Sequence, residues 1–268
     1  MSARDAKRAA YLVTRFGIHE DGDDADDDEA AEAELLRMGA RAVPALIAAL
    51  TPRGYGYRAA MILTEMGAPH ARPAIPVLTK YARTSTAHFL HLWSARALGV
   101  LGELDTVFAL VKRERTQYAA VVGLAMARPA SYRLLDELLD RKDAKLTELI
   151  ANELRPGMAA YEPASREFPL VAAAAASKHE VIRKDVAIAL SSFARGTDKA
   201  RAVPVLASML TDRSPEVRRL AALNLGFCRG HARGAVDQLK PLLKDRVKKV
   251  RETAKDAIAE IAKRRPGT

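Results

Sequence analysis

The sequence predicts an all-α fold, a right-handed α-α superhelix (solenoid) of about seven helical hairpins. A five-residue phrase, Ala-Val/Ile-Pro-x-Leu, begins at Ala42, at Ala74 and at Ala202, and a degenerate copy begins at Ala235. The first two copies start 32 residues apart and the last two start 33 residues apart. Such a period is typical of stacked helical hairpins. A repeat of this kind defines an extended surface but does not specify what binds to it.

A second repeated element follows the phrase in each unit. Asp, Val and Arg occupy the same relative places in the segment from Asp212 to Arg218 and in the segment from Asp245 to Arg251. Apolar residues spaced three and four apart continue each segment, which predicts helices buried along one side. In the first helix these are Val217, Leu220, Ala221 and Leu225, and in the second Val250, Ala254, Ala257, Ile258 and Ile261. Residues 41–264 have room for seven units of about 32 residues.

These residues resemble the HEAT-like repeats of the phycobilin-lyase type, whose second helix opens with Asp-x-x-x-x-Val-Arg. The match is specific in units one, two, six and seven, whereas units three and four (about 103–155) lack the Pro and the Asp-Arg pair. Glycines are expected to end second helices at positive φ, at Gly67, Gly102 and Gly226. The resemblance implies a structural ladder of charged hydrogen bonds from repeat to repeat, formed by Asp212, Arg218, Asp245 and Arg251, with Arg183 and Arg58 as further members.

Three segments are expected along the chain: an N-terminal capping helix over 1–18, an acidic linker over 19–30 and the HEAT-like repeat solenoid over 31–268. Four apolar residues share one side of the capping helix, namely Ala9, Leu12, Val13 and Phe16. No secretion signal opens the sequence, and charged residues interrupt every apolar run before it reaches the length of a membrane span. The single cysteine, Cys228, excludes an internal disulfide, and we expect it to be a small buried hydrophobe. A cytoplasmic protein that does not enter membranes is therefore predicted.

Charge is distributed unevenly, which is the best functional clue in the sequence. Residues 1–40 contain five basic and eleven acidic residues, whereas residues 177–268 contain 21 basic and ten acidic residues, in a chain of net charge +10. Such a basic end attracts phosphate groups or an acidic protein. Second helices commonly line the concave side of this kind of solenoid, so a partner-binding stripe is predicted there, composed of Arg183, Lys184, Arg218, Arg219, Lys248 and Lys249.

Catalytic and metal-dependent alternatives find little support in the residues. The pairs His19-Glu20 and His179-Glu180 are similar to the ligand pairs of HEAT-repeat hydroxylases, which hold a di-iron centre with four such pairs. Aromatic residues concentrate between Tyr55 and Trp93, as a HEAT-like DNA glycosylase would need, but the segment 87–101 contains no carboxylate. We therefore expect no catalytic residues, no metal and no cofactor.

Three classes of function remain. The leading one is a noncatalytic interaction protein that binds a protein partner through its superhelical surface, as an adaptor, a regulator or the immunity partner of a toxin. The alternative is nucleic-acid binding through the C-terminal basic face, which would weaken steeply with salt. The third is a HEAT-like enzyme, such as a bilin lyase or a DNA glycosylase, which would need a cleft with a perturbed carboxylate beside an aromatic wall.

Overall fold

The computed structural model describes residues 2–15, 25–155 and 163–263, with side chains described from residue 28 onward in the second range. These residues form α-helices, short 3-10 segments and turns, and contain no strand. The all-α prediction is confirmed. Two compact units are distinguished, Met1–Ser131 and Tyr132–Thr268.

The described residues of the N-terminal unit form eight α-helices: α1 (Ala3–Thr14), α2 (Ala25–Met38), α3 (Val43–Ala49), α4 (Gly56–Met66), α5 (Ile75–Thr84), α6 (His88–Val100), α7 (Leu104–Leu110) and α8 (Glu114–Met126). Consecutive pairs from α3 onward are helical hairpins, and the second helices α4, α6 and α8 pack against one another in order. Helix α1 packs on α3, and α2 packs on α4. The first two helices therefore extend the two rows of the stack, and α1 buries Ala9 and Leu12 as the capping-helix prediction requires.

In the described part of the C-terminal unit there are again eight α-helices: α9 (Tyr132–Asp140), α10 (Ala144–Glu153), α11 (Phe168–Ala174), α12 (Glu180–Arg195), α13 (Lys199–Ser208), α14 (Pro215–Cys228), α15 (Val236–Leu239) and α16 (Lys248–Ala262). A 3-10 segment, Lys240–Lys244, prolongs the short α15. Helices α12, α14 and α16 form a row of second helices. With the three hairpins of the N-terminal unit, the described residues contain the seven hairpins that the period predicts.

The repeated proline lies in the first turn of two first helices, because its fixed φ suits the first turn, where its missing N–H is not needed. Pro44 and Pro76 lie in the first turns of α3 and α5. Pro204 differs, since α13 already begins at Lys199 and the proline lies inside the helix. The predicted core stripes are confirmed in large part: Val217, Ala221 and Leu225 are buried in α14, and Leu220 is half-buried.

The predicted glycine caps are correct at two positions and wrong at the third. Gly67 and Gly102 have φ of 59° and 84° and follow α4 and α6. Gly226 lies inside α14, which continues to Cys228, and it is Arg229 that has positive φ after this helix. A Cβ at Gly226 would lie 3.2 Å from the Cα of Ala257. Close packing of α14 on α16 therefore explains this glycine.

The predicted acidic linker over 19–30 is wrong at its C-terminal end, because α2 begins at Ala25. Acidic residues in a first helical turn interact favourably with the positive end of the helix dipole, which explains why this acidic run is helical. Residues 16–24, including Phe16 and the pair His19-Glu20, lie outside the described residues, as do 156–162 and 264–268.

Candidate binding sites on the second helices

In four hairpins the same contact joins a turn to the second helix, and in a fifth the acceptor is Leu110, the last residue of the first helix. The side chain six residues after a turn residue bonds that residue's carbonyl oxygen, as Arg183 does with Ser177 at 2.9 Å and Arg218 with Asp212 at 2.7 Å. The same contact recurs in Arg251–Asp245, His91–Ser85 and Thr116–Leu110. We call this position the sixth position. It satisfies a turn carbonyl that would otherwise lose its hydrogen bond on burial.

In the C-terminal unit the sixth-position arginines also form the predicted ladder. Arg183 makes a bidentate ion pair with Asp212 of the next turn, with N–O distances of 2.6 and 3.0 Å, and Arg218 does the same with Asp245 at 2.8 and 3.1 Å. Both arginine side chains are largely buried, at 8% and 13% exposure. Bidentate guanidinium–carboxylate pairs are strong and geometrically specific.

The two ladder carboxylates have lowered pKa values. Burial raises the pKa of Asp212, but the hydrogen bonds from Arg183 and from the Ser214 amide, together with the positive charge of Arg183, outweigh it. The hydrogen bond from Arg218 lowers the pKa of Asp245, against a smaller effect of burial. Both carboxylates are therefore charged at neutral pH and compensate their arginines.

Two predicted ladder members behave differently. Arg251 bonds the carbonyl oxygens of Asp245 and Arg246, and it forms no ion pair with a carboxylate among the residues that the structure describes. Arg58 pairs with Asp28 and with Glu32, the latter at 2.7 Å, and both carboxylates lie on α2. The prediction placed Arg58 in the ladder, but its partners come from the preceding helix of the second row.

The six predicted partner-binding residues fall into two groups. Arg183 and Arg218 belong to the buried ladder, so their guanidinium groups are occupied by Asp212 and Asp245 and do not form part of an open stripe. The other four, Lys184, Arg219, Lys248 and Lys249, are half-buried or exposed on α12, α14 and α16. Arg183 and Arg218 were predicted to belong both to the ladder and to the stripe, and their ion pairs with Asp212 and Asp245 place them in the ladder.

Of these four cations, Arg219 pairs directly with Glu216, and the charges of Lys184 and Lys249 act on the same carboxylate. Arg219 donates to both of its oxygens at 2.8 and 2.9 Å. These hydrogen bonds lower the pKa of Glu216, and the positive charges of Lys184 on α12 and Lys249 on α16 lower it further. Lys248 lies 3.6 Å from Glu252. We call Lys184, Arg219, Lys248 and Lys249 around Glu216 the basic cluster. Three of its members, Lys184, Arg219 and Lys249, act on Glu216, so their positive charges exceed this carboxylate by two.

A second group of polar residues lies in the N-terminal unit and was not predicted. Residues at the starts of α6 and α8 line a cavity of about 210 Å³, among them Ser85, His88, His91, Arg115 and Tyr118. His91 is 7% exposed, and its Nε2 atom is buried without a hydrogen-bond partner. The signal that identifies His91 in the sequence is its place six residues after Ser85, which matches the spacing from Ser177 to Arg183.

The remaining candidates have structural contacts. His179 bonds Asp140 at 2.7 Å, and Glu180 accepts from the Ser214 hydroxyl at 2.7 Å. Burial raises the pKa of the Cys228 thiol to about 11, and the side chain is fully buried, as predicted. The Arg96 guanidinium stacks on Trp93 at 4.2 Å. Within the described parts of the chain, no group of three or more His, Cys, Asp or Glu residues could hold a metal ion.

Comparison with known proteins identifies the repeat. A family model for the HEAT repeat matches residues 202–228, the segment of α13 and α14 that contains the Arg218 sixth position. The chain is a HEAT-repeat protein. No curated protein sequence matches this HEAT-repeat protein. In the ranges 2–15, 25–155 and 163–263, each helix is too short or too polar to cross a lipid bilayer.

Several solved structures are similar to this HEAT-repeat protein at low sequence identity. An engineered protein is 19% identical, with 94% of this chain and 78% of that chain covered, at a TM-score of 0.38. Human deoxyhypusine hydroxylase in complex with glycerol is 16% identical, with 96% and 97% covered, at a TM-score of 0.38. A designed armadillo repeat protein in complex with the peptide (KR)4 is 15% identical, with 94% and 99% covered, at a TM-score of 0.37.

Proposed function

We propose that this HEAT-repeat protein is a noncatalytic binding module that holds an acidic protein partner on the basic cluster. The observation that carries the proposal is the setting of Glu216, which accepts two hydrogen bonds from Arg219 and also feels the positive charges of Lys184 and Lys249 on the neighbouring helices. One carboxylate compensates one of the three charges. A second carboxylate, supplied by a partner, would complete the neutralisation, and such charge complementarity gives specificity and fast association.

A protein partner is favoured over nucleic acid because much of the C-terminal basic charge is already paired. Arg183 and Arg218 are compensated in the ladder, and exposed ion pairs occupy Arg201 with Asp198, Lys240 with Asp237 and Lys178 with Asp140. Nucleic-acid binding relies on many cations that neutralise successive phosphates. The basic cluster is a local group with a carboxylate at its centre, which suits the carboxylates of an acidic segment better than a continuous phosphate backbone.

A noncatalytic role is supported by the environment of the reactive side chains. The only thiol, Cys228, is fully buried with a raised pKa, which disfavours the nucleophilic thiolate. The His179-Glu180 pair is engaged by Asp140 and Ser214. Trp93 is half-buried beneath Arg96, and no carboxylate belongs to the helix that carries it.

The test is binding of a fluorescently labelled glutamate-rich peptide to the purified protein, with a single-stranded oligonucleotide of equal charge as the competing probe. The cluster variant is Lys184→Gln/Arg219→Gln/Lys249→Gln. The control variant, Arg233→Gln/Lys240→Gln/Lys244→Gln, removes the same charge from exposed residues between α14 and α16. We expect about a tenfold or greater weakening in the cluster variant and little change in the control. Equal weakening in both variants would refute the cluster as the site.

The single variant Glu216→Gln is expected to change peptide affinity in the opposite direction. It removes the internal carboxylate and leaves Lys184, Arg219 and Lys249 uncompensated, so peptide affinity should rise. Tight oligonucleotide binding that the cluster variant abolishes, with weak peptide binding, would replace the proposal by the nucleic-acid alternative. Affinity purification of the tagged protein from its native lysate, with and without nuclease, then identifies the physiological partner.

A further inference from the structure

The cavity in the N-terminal unit has the properties of a built binding site, and it is independent of the basic cluster. It has a volume of about 210 Å³ and lies between the starts of α6 and α8. Ser85 and His91 in its lining are buried, whereas His88, Arg115 and Tyr118 are exposed. The cavity therefore combines a buried histidine with accessible polar side chains.

The tautomer of neutral His91 follows from its contacts. Nδ1 lies 3.4 Å from the carbonyl oxygen of Ser85, a long hydrogen bond in which the carbonyl accepts, so Nδ1 carries the proton. Nε2 of the neutral ring is then a hydrogen-bond acceptor with a lone pair. This atom is buried and has no hydrogen-bond partner among the residues that the structure describes. An unpaired buried polar atom is costly, which makes it a natural point of contact for a ligand.

The repeat explains why His91 lacks a partner. In the C-terminal unit the residue at the sixth position reaches the Asp of the next turn, as Arg183 reaches Asp212. The next turn after His91 presents Leu110 at the corresponding place, because Thr116 bonds the Leu110 carbonyl as its own sixth-position contact. The carboxylate that completes a ladder rung is therefore missing here, and imidazole replaces guanidinium.

The charge around the cavity is positive. Arg115 donates to the carbonyl oxygen of Arg83 at 3.1 Å, and within the described residues it forms no ion pair with a carboxylate. No carboxylate lines the cavity. Burial lowers the pKa of His91, and the charges of Arg115 and His88 lower it further against the opposing effect of the Ser85 carbonyl. The positive charge of Arg115 attracts an anion. An anion without a proton, however, would be repelled by the lone pair on Nε2 of His91.

We propose that this cavity binds a phosphate monoester group. A phosphate monoester has a second pKa of about 6, so near neutral pH its monoanion is available with one P–O–H group. This hydroxyl donates to Nε2 of His91, while the other oxygens accept from Arg115 and from His88 when the latter is protonated. A carboxylate carries no proton at this pH and fits less well. The same phosphate chemistry occurs on a phosphorylated side chain and on a phosphorylated small metabolite.

Binding is coupled to one proton, which fixes its pH dependence. The proton lies between Nε2 and a phosphate oxygen, whether it comes from the ligand or is taken up by the ring. Affinity therefore rises as pH falls from about 8 towards 6, because both the phosphate monoanion and protonated imidazole become more populated. The titratable and charged groups that line the cavity are His88 and His91 of α6 and Arg115 and Tyr118 of α8.

Isothermal titration of the full chain with O-phosphoserine, and with serine and acetate as control ligands, tests the proposal. We expect saturable binding of O-phosphoserine only, tighter at pH 6 than at pH 8. Glucose 6-phosphate and a short phosphoserine peptide then distinguish the two sources of the group. Tighter binding of the peptide indicates a phosphoprotein, and tighter binding of the sugar phosphate a metabolite. Failure of all three phosphates to bind at either pH would overturn the proposal.

Variants separate the site from general charge effects. Arg115→Gln should weaken phosphate binding about tenfold, since a charge-assisted hydrogen bond is lost, and Arg4→Gln in α1 serves as the charge-matched control. His91→Asn should weaken binding and reduce its pH dependence, whereas His70→Asn at an exposed site of the same unit should do neither.

A folding defect in His91→Asn would also weaken binding, so histidine-resolved NMR of the unaltered protein serves as an independent test. The spectrum reports the Nδ1–H tautomer of His91 directly, and O-phosphoserine should raise the pKa of this ring. An unchanged titration of His91 at saturating phosphate, or equal binding by Arg115→Gln and the unaltered protein, would show that phosphate does not occupy this cavity.

Discussion

The two units perform the same backbone task with different side chains. In both, the side chain six residues after the turn bonds a turn carbonyl, but Arg183 and Arg218 do so in the C-terminal unit, and His91 and Thr116 do so in the N-terminal unit. The arginines are long enough to reach the next turn and are saturated there by Asp212 and Asp245. Among the residues that the structure describes, the shorter side chains of His91 and Thr116 neither reach the next turn nor pair with a carboxylate there. The difference teaches that a structural position can become available to a ligand once the residue that saturates it is replaced.

The largest expected effect is the loss of a ladder carboxylate. Asp212→Ala leaves the Arg183 guanidinium buried without compensation, and breaking such a pair costs about 3–5 kcal/mol. The matched change in the N-terminal unit is Ser85→Ala, which removes the hydrogen bonds of one hydroxyl with the Ala87 amide at 3.2 Å and with the Ala87 carbonyl at 3.4 Å, at about 1 kcal/mol. Urea denaturation followed by hydrogen exchange assigns each loss to its unit. Equal losses would show that the ladder contributes no more than a turn cap.

The next effect concerns how closely the second helices pack. A Cβ at Gly99 in α6 would overlap the carbonyl oxygen of Gly123 in α8, whereas a Cβ at Gly226 in α14 would lie 3.2 Å from the Cα of Ala257. We expect Gly99→Ala to destabilise the N-terminal unit by about 2–3 kcal/mol. Gly226→Ala should change stability by less than about 1 kcal/mol, since improved helix propensity offsets the tight contact. Thermal unfolding of both variants measures the difference, and a milder effect at Gly99 would contradict it.

The two units should also respond to acid in different pH ranges. The pKa of His91 is lowered in the folded protein, so the unfolded chain binds a proton first and stability falls as pH drops below about 6.5. The pKa values of Asp212 and Asp245 are lowered too, and their contribution is lost only as pH falls below about 3.9.

Hydrogen exchange at pH 7.5, 5.5 and 3.5, corrected for the intrinsic exchange rate, resolves these ranges. Between pH 7.5 and 5.5 protection should decrease in α6 and remain in α12 and α14. His91→Asn should remove this early decrease. A simultaneous loss of protection in both units at pH 5.5 would contradict the assignment to His91.

The smallest effect is expected on the exposed part of the basic cluster. Lys248→Gln removes a surface pair at 3.6 Å with Glu252, and such pairs contribute about 0–1 kcal/mol. We expect a stability change below about 0.5 kcal/mol in chemical denaturation, less than any change to the ladder. A loss of more than about 1 kcal/mol would place Lys248 among structural rather than binding residues.

The sequence predicted what depends on repetition. The period of 32 and 33 residues gave the hairpins, and the recurring Asp and Arg gave the pairs Arg183–Asp212 and Arg218–Asp245. It did not separate Arg183 and Arg218 from the exposed stripe, because a basic residue in a helix shows its charge in the sequence but not its partner. The basic cluster followed only once the buried pairs were removed from that stripe.

The errors have specific physical causes. Gly226 was predicted to end a helix, but glycine is also needed where two helices approach closely, and α14 packs on Ala257 at this point. The acidic run over 19–30 was predicted to be a linker whose later members favour the amino end of the next helix, and that helix, α2, starts inside the run at Ala25. The role of His91 was missed because the repeat was recognised by its Asp and Arg residues. In this hairpin Ser85 and His91 stand at the same six-residue spacing in place of Asp and Arg.

The sixth-position contact makes each turn a self-contained cassette. Arginine and histidine both satisfy the turn carbonyl at this place, each as the fourth residue of its helix. Replacing a turn together with its sixth-position residue is therefore a way to change the contacts of one hairpin while the neighbouring hairpins keep theirs. An array built in this manner acquires new chemistry locally, one cassette at a time, and keeps its architecture throughout.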